Sequence, residues 1–234
     1  MNLTTKLAHK FFAEYGVAIS RGMDKNHKPP RWWGEIMLNR LEQLKYFEAP
    51  ASSKFHLSVP GGLFLHSVGV VERALKLRVG MSGIPAWKIM LAGIFHDVGK
   101  CGLLCGDFLR PRYVANTPGA GYSVYHAVPD FTVRDLSALY AGRFGLPWDV
   151  MQAILTHDGL YCDQNKPYIS NHCNLSLLLM NADNLQSKIF ETRTEAFLSL
   201  AEGGESGVEQ AGVKPGEPEP RRKVGRPRKA IPGA

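Results

Sequence analysis

Apolar residues recur at spacings of three and four along most of the chain between residues 32 and 200. This period is typical of amphipathic α-helices. It predicts six helices, over 32–47, 61–77, 86–99, 128–145, 146–159 and 174–200. No stretch alternates apolar and polar residues as a half-buried strand does, although 122–128 (YSVYHAV) is ambiguous. The pattern therefore indicates an all-α domain.

Proline and glycine mark several of the predicted helix ends. Pro85 precedes the third helix and Pro147 lies near the start of the fifth. Proline suits a first helical turn because backbone N–H groups there have no intrahelical acceptor, so its lack of an N–H costs no hydrogen bond. Gly145 and Gly159 stand where two helices are expected to end. The stretch 101–121 is rich in Gly and Pro, and we predict an irregular loop there, since long loops inside compact domains are usually functional or mobile.

Composition is that of a globular protein with one sizeable domain. The 234 residues are 44% hydrophobic, which supplies a large core. The N-terminus (MNLTTKLAHKFFAEYG) has no long apolar run and no small-residue cleavage pattern, so we expect no signal peptide. No apolar run approaches the roughly 20 residues that span a bilayer. The four cysteines lack a paired zinc-ribbon spacing, and we expect free thiols in a cytoplasmic protein without a membrane partner.

The net charge of +7 is distributed unevenly, and its order matters most in the C-terminal tail. Residues 201–220 carry five acidic residues and one basic one, are rich in Gly and Pro and lack aromatics, whereas six of the nine residues 221–229 are basic. Such a composition does not bury enough apolar surface to fold. We therefore expect an N-terminal helical segment (1–54) that packs on a core domain (55–200), followed by a disordered basic tail (201–234).

Three polar residues interrupt helical faces that are otherwise apolar: His66 in LFLHSVGVV, Asp97 in GIFHDVGK and Asp183 in LLLMNADNLQ. A lone histidine on such a face is most often a hydrogen-bonded core residue. A buried carboxylate, however, costs on the order of several kcal/mol unless a partner satisfies it. Lys188 is poorly placed as the partner of Asp183, because helical neighbours lie three or four residues apart. Convergence of these residues with His96 on a divalent cation would satisfy the carboxylates.

These stretches carry a resemblance to a known family. In order along the chain, HSVGVVERAL, GIFHDVGK, ILTHDG and NADNLQSK resemble the HD superfamily of metal-dependent phosphohydrolases, from about Phe55 to about Glu191. GGLFLHS and ADNLQSK are similar to a subset that includes bacterial 3′–5′ exoribonucleases with an HD domain. The resemblance implies an all-α HD-domain helical bundle over 55–200. It also implies a central metal site with the ligands His66, His96, Asp97 and Asp183.

The resemblance also leaves the number of ions open. In binuclear members of the family Asp97 would bridge two ions, and His126 and His157 resemble the additional histidine ligands. Asp158 follows His157 where many of those members have a second histidine. Mixed imidazole and carboxylate ligands suit Mn²⁺, Fe²⁺, Co²⁺, Ni²⁺ or Zn²⁺, and Mg²⁺ is a further candidate. We therefore expect one or two divalent ions.

Asp97 and Lys100 are the candidate catalytic residues. Asp97 would sit on the metal, and Gly99 would let the backbone turn so that His96 and Asp97 both reach it. Lys100 would contact substrate phosphate, but it is equally well explained as a cation at a helix C-terminus, where the helix dipole favours positive charge. His56 has two explanations as well, a contact to substrate phosphate or a cap on its loop.

The function that the resemblance implies is a metal-dependent phosphohydrolase. It would cleave a phosphoester of a nucleotide or of a nucleic acid end with a metal-activated water. The chain lacks the GYP signature of cyclic di-GMP phosphodiesterases, which counts against that branch. The alternative is a DNA-binding or DNA- or RNA-processing accessory protein whose HD domain is a scaffold, a possibility that the HD-containing relaxases of conjugative elements keep open.

The tail stretch KVGRPRK (223–229) resembles an AT-hook, a short basic motif that lies in the minor groove of A·T-rich DNA. Arg226 would enter the narrow, negative groove while the flanking cations contact phosphates. Val224 stands where the motif usually has arginine, so the expected binding is weak and sensitive to salt. The nucleic-acid contacts implied by this resemblance are Gly225, Arg226, Pro227, Arg228 and Lys229. The alternative is a solubilising basic tail.

Overall fold

The computed structural model describes residues 33–54, 56–81, 83–116, 121–124, 131–159 and 173–191. Within these ranges the protein is mostly helical, and a helix lies inside each of the six predicted stretches. The helices are α1 (Trp33–Gln43), α2 (Gly62–Leu77), α3 (Ala86–Phe95), α4 (Val133–Arg143), α5 (Trp148–Thr156) and α6 (Asn174–Leu185). Short 3₁₀ turns at Arg78–Gly80 and Val98–Cys101 follow α2 and α3, and a π-helical turn at Gln186–Phe190 continues α6.

The helix ends differ from the predicted ones where side chains or tight turns decide them. α3 was expected to run to residue 99, but it ends at Phe95 and the chain tightens into the 3₁₀ turn. α4 begins at Val133 because Thr132 caps it. The Thr132 hydroxyl accepts from the backbone N–H of Asp135 (3.2 Å), and the Asp135 carboxylate accepts from the N–H of Thr132 (3.1 Å). This reciprocal capping box satisfies two N–H groups that the helix itself leaves without partners.

The prediction of an irregular loop over 101–121 without strands is wrong. β1 (Gly102–Cys105) pairs antiparallel with β2 (Phe108–Pro111), and β3 (Tyr113–Ala115) pairs antiparallel with β4 (Tyr122–Val124). These strands have only three or four residues, too few to show a period of two in the sequence. The ambiguous stretch 122–128 is thus a strand at its start, and its remaining residues lie outside the described ranges.

Two glycines and one tyrosine fix the first hairpin. Gly106 (φ 61°) opens its two-residue turn, as glycine often does in tight hairpins. Gly102 has a φ of 108°, and a Cβ there would lie 2.0 Å from the carbonyl oxygen of Arg110. The Tyr140 hydroxyl, on α4, donates to the Gly102 carbonyl (2.8 Å) and accepts from the Leu104 N–H (2.9 Å). The hairpin is therefore anchored to the helical body.

The apolar core lies between α2, α3, α5 and α6. α2 packs against α3 and α6, and α5 packs against α4 and α6. A Cβ at Gly93 would lie 2.5 Å from Val71 Cγ2, so this glycine permits the close approach of α3 to α2. Each large apolar side chain that is fully buried contributes about 1.5–3 kcal/mol. Those with almost no exposed surface include Leu63, Phe64, Ile89, Phe95, Leu136, Ile154, Leu178 and Leu179.

The segment around α1 packs on this body. Met37, Leu41 and Leu44 are buried, and the buried Tyr46 hydroxyl donates to the Ile94 carbonyl (2.9 Å). Tyr46 and Phe64 also meet edge to face, with ring centroids 6.3 Å apart. Within the described ranges, no helix has the length and the apolar character that crossing a bilayer requires. The tail after residue 200 lies outside those ranges, so its disorder and the boundary at that point stay predictions.

Candidate metal centre

Four helices bring polar residues of the predicted metal set to one point inside the bundle. His66 lies in the middle of α2, and Asp183 lies near the end of α6. His96 and Asp97 directly follow α3, and His157 directly follows α5. The three histidines and Asp97 are buried, and Asp183 is partly exposed. The sequence motifs are far apart along the chain, and the packing of the four helices joins them.

The ligand atoms of these residues lie at short distances from one another. His66 Nε2 is 3.2 Å from His96 Nε2 and 3.2 Å from Asp183 Oδ1. Asp97 Oδ2 is 3.6 Å from His66 Nε2 and 3.3 Å from His96 Nε2. Asp97 Oδ1 lies on the other side, 3.9 Å from His157 Nε2. The two oxygens of Asp97 therefore face different histidines.

All three imidazole rings are held by an oxygen at Nδ1. An oxygen of a carbonyl or carboxylate accepts, so Nδ1 carries the proton and a neutral ring turns its Nε2 lone pair toward the other ligand atoms. The hydrogen bonds are His66 Nδ1 to Glu191 Oε1 (2.7 Å), His96 Nδ1 to Gly93 O (2.8 Å) and His157 Nδ1 to Ile154 O (2.6 Å). When all three rings are neutral, the cluster thus presents three nitrogen lone pairs and two carboxylates to a common centre.

The buried charges of the cluster stabilise one another, and its carboxylates favour positive charge at His66. Burial alone would raise the pKa of the Asp97 carboxyl, yet Lys100 and His96 hold that pKa well below its ordinary value. Burial alone would lower the pKa of the His66 ring, yet its hydrogen-bonded carboxylate neighbours Asp183 and Glu191 raise that pKa to about 9. A field that stabilises a proton on a buried imidazole also stabilises a metal ion beside it.

The residues fit a divalent cation. Metal–nitrogen and metal–oxygen bonds of about 2.1 Å in a tetrahedral site place neighbouring ligand atoms about 3.4 Å apart, close to the separations found here. Three groups have ligand atoms that all lie within 4.8 Å of one another: His66, His96 and Asp183; His96, Asp97 and His157; and His56, His66 and Glu191. The geometry permits a divalent metal site. The two oxygens of Asp97 face the first and the second group, as a bridging carboxylate requires.

The short connection after α3 explains how two adjacent residues reach the same centre. The backbone leaves the helix at Asp97 (φ −114°, ψ 11°) and enters the 3₁₀ turn. The expected role of Gly99 in this turn is wrong, because Gly99 does not have a positive φ. A Cβ at Gly99 would lie 2.1 Å from the Val133 carbonyl oxygen, and its N–H donates to Ser137 Oγ (2.9 Å). Glycine is needed there for close packing against α4.

The cluster forms the floor of a pocket of about 260 Å³. Two cations line it, Lys100 and Arg134. Lys100 Nζ donates to Asp97 Oδ2 (2.6 Å), and Arg134 is buried at the start of α4 with its Nε 3.5 Å from Asp135 Oδ1. The full lining is His56, His66, Asp97, Lys100, Val133, Arg134, His157, Asp158, Asp183 and Ser187. An anionic group entering this pocket would meet both cations.

Sequence reasoning missed two residues of the site, Glu191 and Arg134. Glu191 follows Asp183 by eight residues, about two helical turns, and that spacing was an available signal. Arg134 has no comparable signal, since only the packing of α4 on the 3₁₀ turn brings it to the pocket. His56 also reaches the site, with its Nε2 3.8 Å from Glu191 Oε2.

The remaining predicted residues lie outside the described ranges. These are the possible ligand His126 and the tail contacts Gly225, Arg226, Pro227, Arg228 and Lys229. Comparison with protein-family models, with curated proteins and with solved structures gives no match to this chain. Membership of the HD superfamily therefore stays a prediction from the motifs.

Proposed function

We propose that this chain is a metal-dependent phosphohydrolase with an HD-type helical bundle. One observation carries the proposal: three imidazole Nε2 atoms and two carboxylates converge at the floor of a pocket that two cations line. A divalent cation at this point would accept electron pairs from all of these ligand atoms at once. The order of the motifs along the chain, His, His-Asp and a distant Asp, supports the same family.

The chain's own residues divide into two sets. His66, His96, Asp183 and Asp97 Oδ2 would hold one ion, and His157 with Asp97 Oδ1 would contribute to a second. When bound, such ions polarise a phosphoryl oxygen and lower the pKa of a water molecule. The carboxylates also keep the site negatively charged, which offsets the charge of the cations that it receives.

The two lining cations would bind the substrate. Lys100 is mostly buried and its ammonium points at Asp97, which supports a role in the site over a role in the helix dipole alone. The Arg134 guanidinium offers planar paired donors, which match the oxygens of a phosphoryl group. Both would neutralise charge on a phosphoester while it is positioned over the carboxylates. We therefore propose a phosphoester of a nucleotide or of a nucleic acid end as the substrate class.

The direct test is metal content followed by hydrolysis. The purified full chain should contain a transition metal or bind Mn²⁺ or Zn²⁺, and it should release phosphate or nucleoside from a panel of mononucleotides and end-phosphorylated oligonucleotides. Chelation should stop the reaction. Asp97→Ala should abolish turnover and remove most of the bound metal while the protein stays helical by circular dichroism. Asp107→Ala, in the exposed hairpin turn, is the matched control. Full activity and metal content in Asp97→Ala would refute the proposal.

The sequence of the tail supports a second, separable role in recruiting DNA. Residues 221–229 are basic and resemble an AT-hook, and none of the proposed ligands lies after residue 183. Deleting 201–234 should leave hydrolysis of a small phosphoester unchanged and weaken binding to A·T-rich duplex. Arg226→Ala should reproduce most of that loss and cost less on G·C-rich duplex. Equal affinity of the full chain for the two duplexes, unaffected by Arg226→Ala, would reduce the tail to a generic basic segment.

A further inference from the structure

We propose that Glu191 is a positioning residue, whose carboxylate fixes His66 in the tautomer that turns Nε2 toward the metal ligands. The proposal rests on the proposed metal centre, but it requires no particular substrate or reaction. Glu191 Oε1 accepts from His66 Nδ1 at 2.7 Å, and both residues are 1% exposed. A buried hydrogen bond this short leaves little freedom to the ring.

His66 differs from the other two histidines in where it lies in its helix. His96 and His157 each follow the end of a helix, and each donates to the carbonyl three residues earlier. Those carbonyls belong to the last turn of a helix, where the α-helical pattern leaves them without partners. His66 lies inside α2, where backbone carbonyls already accept from the N–H four residues on. Its ring has its acceptor on another element, the carboxylate of Glu191.

Glu191 is itself held in place. Gln186 Nε2 donates to Glu191 Oε1 (3.1 Å), and His56 Nε2 lies 3.8 Å from Glu191 Oε2. The π-helical turn Gln186–Phe190 separates the two side chains, and such turns are frequent at functional sites. Gly69, three residues after His66, makes room for Gln186, since a Cβ there would lie 2.4 Å from Gln186 Cδ. The end of α6 is thus shaped to present a carboxylate to α2.

In metal sites, a contact of this kind affects how tightly the metal binds. A carboxylate on the distal nitrogen of a ligating histidine fixes the ring and raises its basicity, and losing such a partner typically costs 10- to 100-fold in metal affinity. Asp183 plays a different part, because its oxygen lies beside Nε2 on the ligand side of the ring. Glu191 therefore acts through His66, on the far side from the pocket floor.

The test compares three variants of the full chain by Zn²⁺ and Mn²⁺ affinity, measured by competition with a chelating indicator. Glu191→Leu removes the acceptor and should weaken binding 10- to 100-fold. Glu191→Gln keeps an oxygen that accepts from Nδ1 and should lose clearly less. Glu72→Gln is the control. It removes a half-exposed carboxylate from α2, the helix that carries His66, and should bind both metals as tightly as the wild type does. Affinity of Glu191→Leu within twofold of wild type would overturn the proposal.

A second measurement reports the tautomer of His66 directly. Two-bond ¹H–¹⁵N correlation spectra of the ¹⁵N-histidine-labelled, Zn²⁺-loaded chain report the tautomer of each ring. We expect His66 with its proton on Nδ1 in the wild type and a loss of that signature in Glu191→Leu. A proton on Nε2 of His66 would overturn the proposal. So would a lower number of ions per chain in Glu191→Gln, since this would make Glu191 a direct ligand.

These outcomes separate the inference from the proposed function. A chain that binds zinc with the expected tautomer and variant ranking but hydrolyses none of the phosphoesters would refute the phosphohydrolase and support the role of Glu191. A chain that hydrolyses phosphoesters, but whose zinc affinity is unchanged in Glu191→Leu, would support the phosphohydrolase and refute the role of Glu191.

Discussion

The polar cluster and the apolar core around it are similarly buried, but desolvation is favourable for the core side chains and unfavourable for the cluster. Ile154 and Leu178 are almost fully buried in the core, and His96 is equally buried in the cluster. Burying a large apolar side chain stabilises the fold by about 1.5–3 kcal/mol, whereas burying charge is unfavourable unless it is paired and hydrogen-bonded. The stabilisation from the apolar core thus offsets the cost of burying the polar cluster, as the proposed metal site requires.

The largest effect should come from a ligand whose loss leaves the core intact. Asp183→Asn keeps the size of the side chain and removes its charge, and Asp183 is partly exposed, so little packing is disturbed. We expect turnover to fall by on the order of a hundredfold or more, because one anionic metal ligand is lost. The unfolding free energy should change by about 1 kcal/mol or less. Steady-state kinetics measure turnover and urea unfolding measures stability. A variant that is clearly less stable but keeps full turnover would contradict the distinction between the cluster and the core.

The reverse result is expected for a core residue beside the site. Ile154→Ala, whose backbone carbonyl anchors His157, should lower the unfolding free energy by about 2–5 kcal/mol through lost burial and an unfilled cavity. Under conditions where the variant is folded, metal binding should be retained, since the carbonyl remains. Urea unfolding with a parallel metal titration tests this. Unchanged stability would show that the site around Ile154 collapses to fill the space.

His157→Ala distinguishes one ion from two. If His157 and Asp97 Oδ1 hold a second ion, elemental analysis should find the metal content falling toward one ion per chain. The first group, His66, His96 and Asp183, keeps its ligands in this variant. A single ion in the wild type that is unchanged in the variant would leave only the first site.

Arg134→Ala tests the pocket wall. The guanidinium lines the pocket but is in none of the three groups of possible metal ligands. We expect KM for a phosphoester to rise by about tenfold, the loss of one charge-assisted contact, with metal content unchanged. Arg134→Lys should recover part of the loss, since it keeps the charge without the planar donors. An unchanged KM in Arg134→Ala would remove Arg134 from substrate binding.

The smallest effect concerns the cap of α4, away from the ligands. Burial raises the pKa of the Asp135 carboxyl, but its hydrogen bonds from Thr132 outweigh this and leave the pKa lowered. The ionised form therefore stabilises the fold above the ordinary carboxyl pKa of about 3.9, and this contribution disappears as pH falls through the lowered value. Asp135→Asn should be less stable than wild type near pH 7, by about 1 kcal/mol, and the difference should shrink in acid. A difference independent of pH would exclude the charge as its cause.

The sequence determined the helices and most of the candidate site. Apolar residues three and four apart are a local signal, and six helices lie where that signal predicted them. The interruptions at His66, Asp97 and Asp183 predicted a convergent site because unpaired buried carboxylates are unfavourable. The structure brings these three together with His96 and His157. Helix ends were less well determined, because caps and tight turns decide them.

Only the tertiary structure decided the hairpins and the outer parts of the site. The strands between 102 and 124 are too short to show the alternation of apolar and polar residues that marks a strand. The first hairpin also depends on a hydrogen bond from Tyr140, which lies 38 positions from Gly102. The partner of His66 is Glu191, 125 residues away, and no local pattern relates the two. Periodicity records which face of an element is apolar, whereas the choice of acceptor for a buried ring depends on which elements pack beside it.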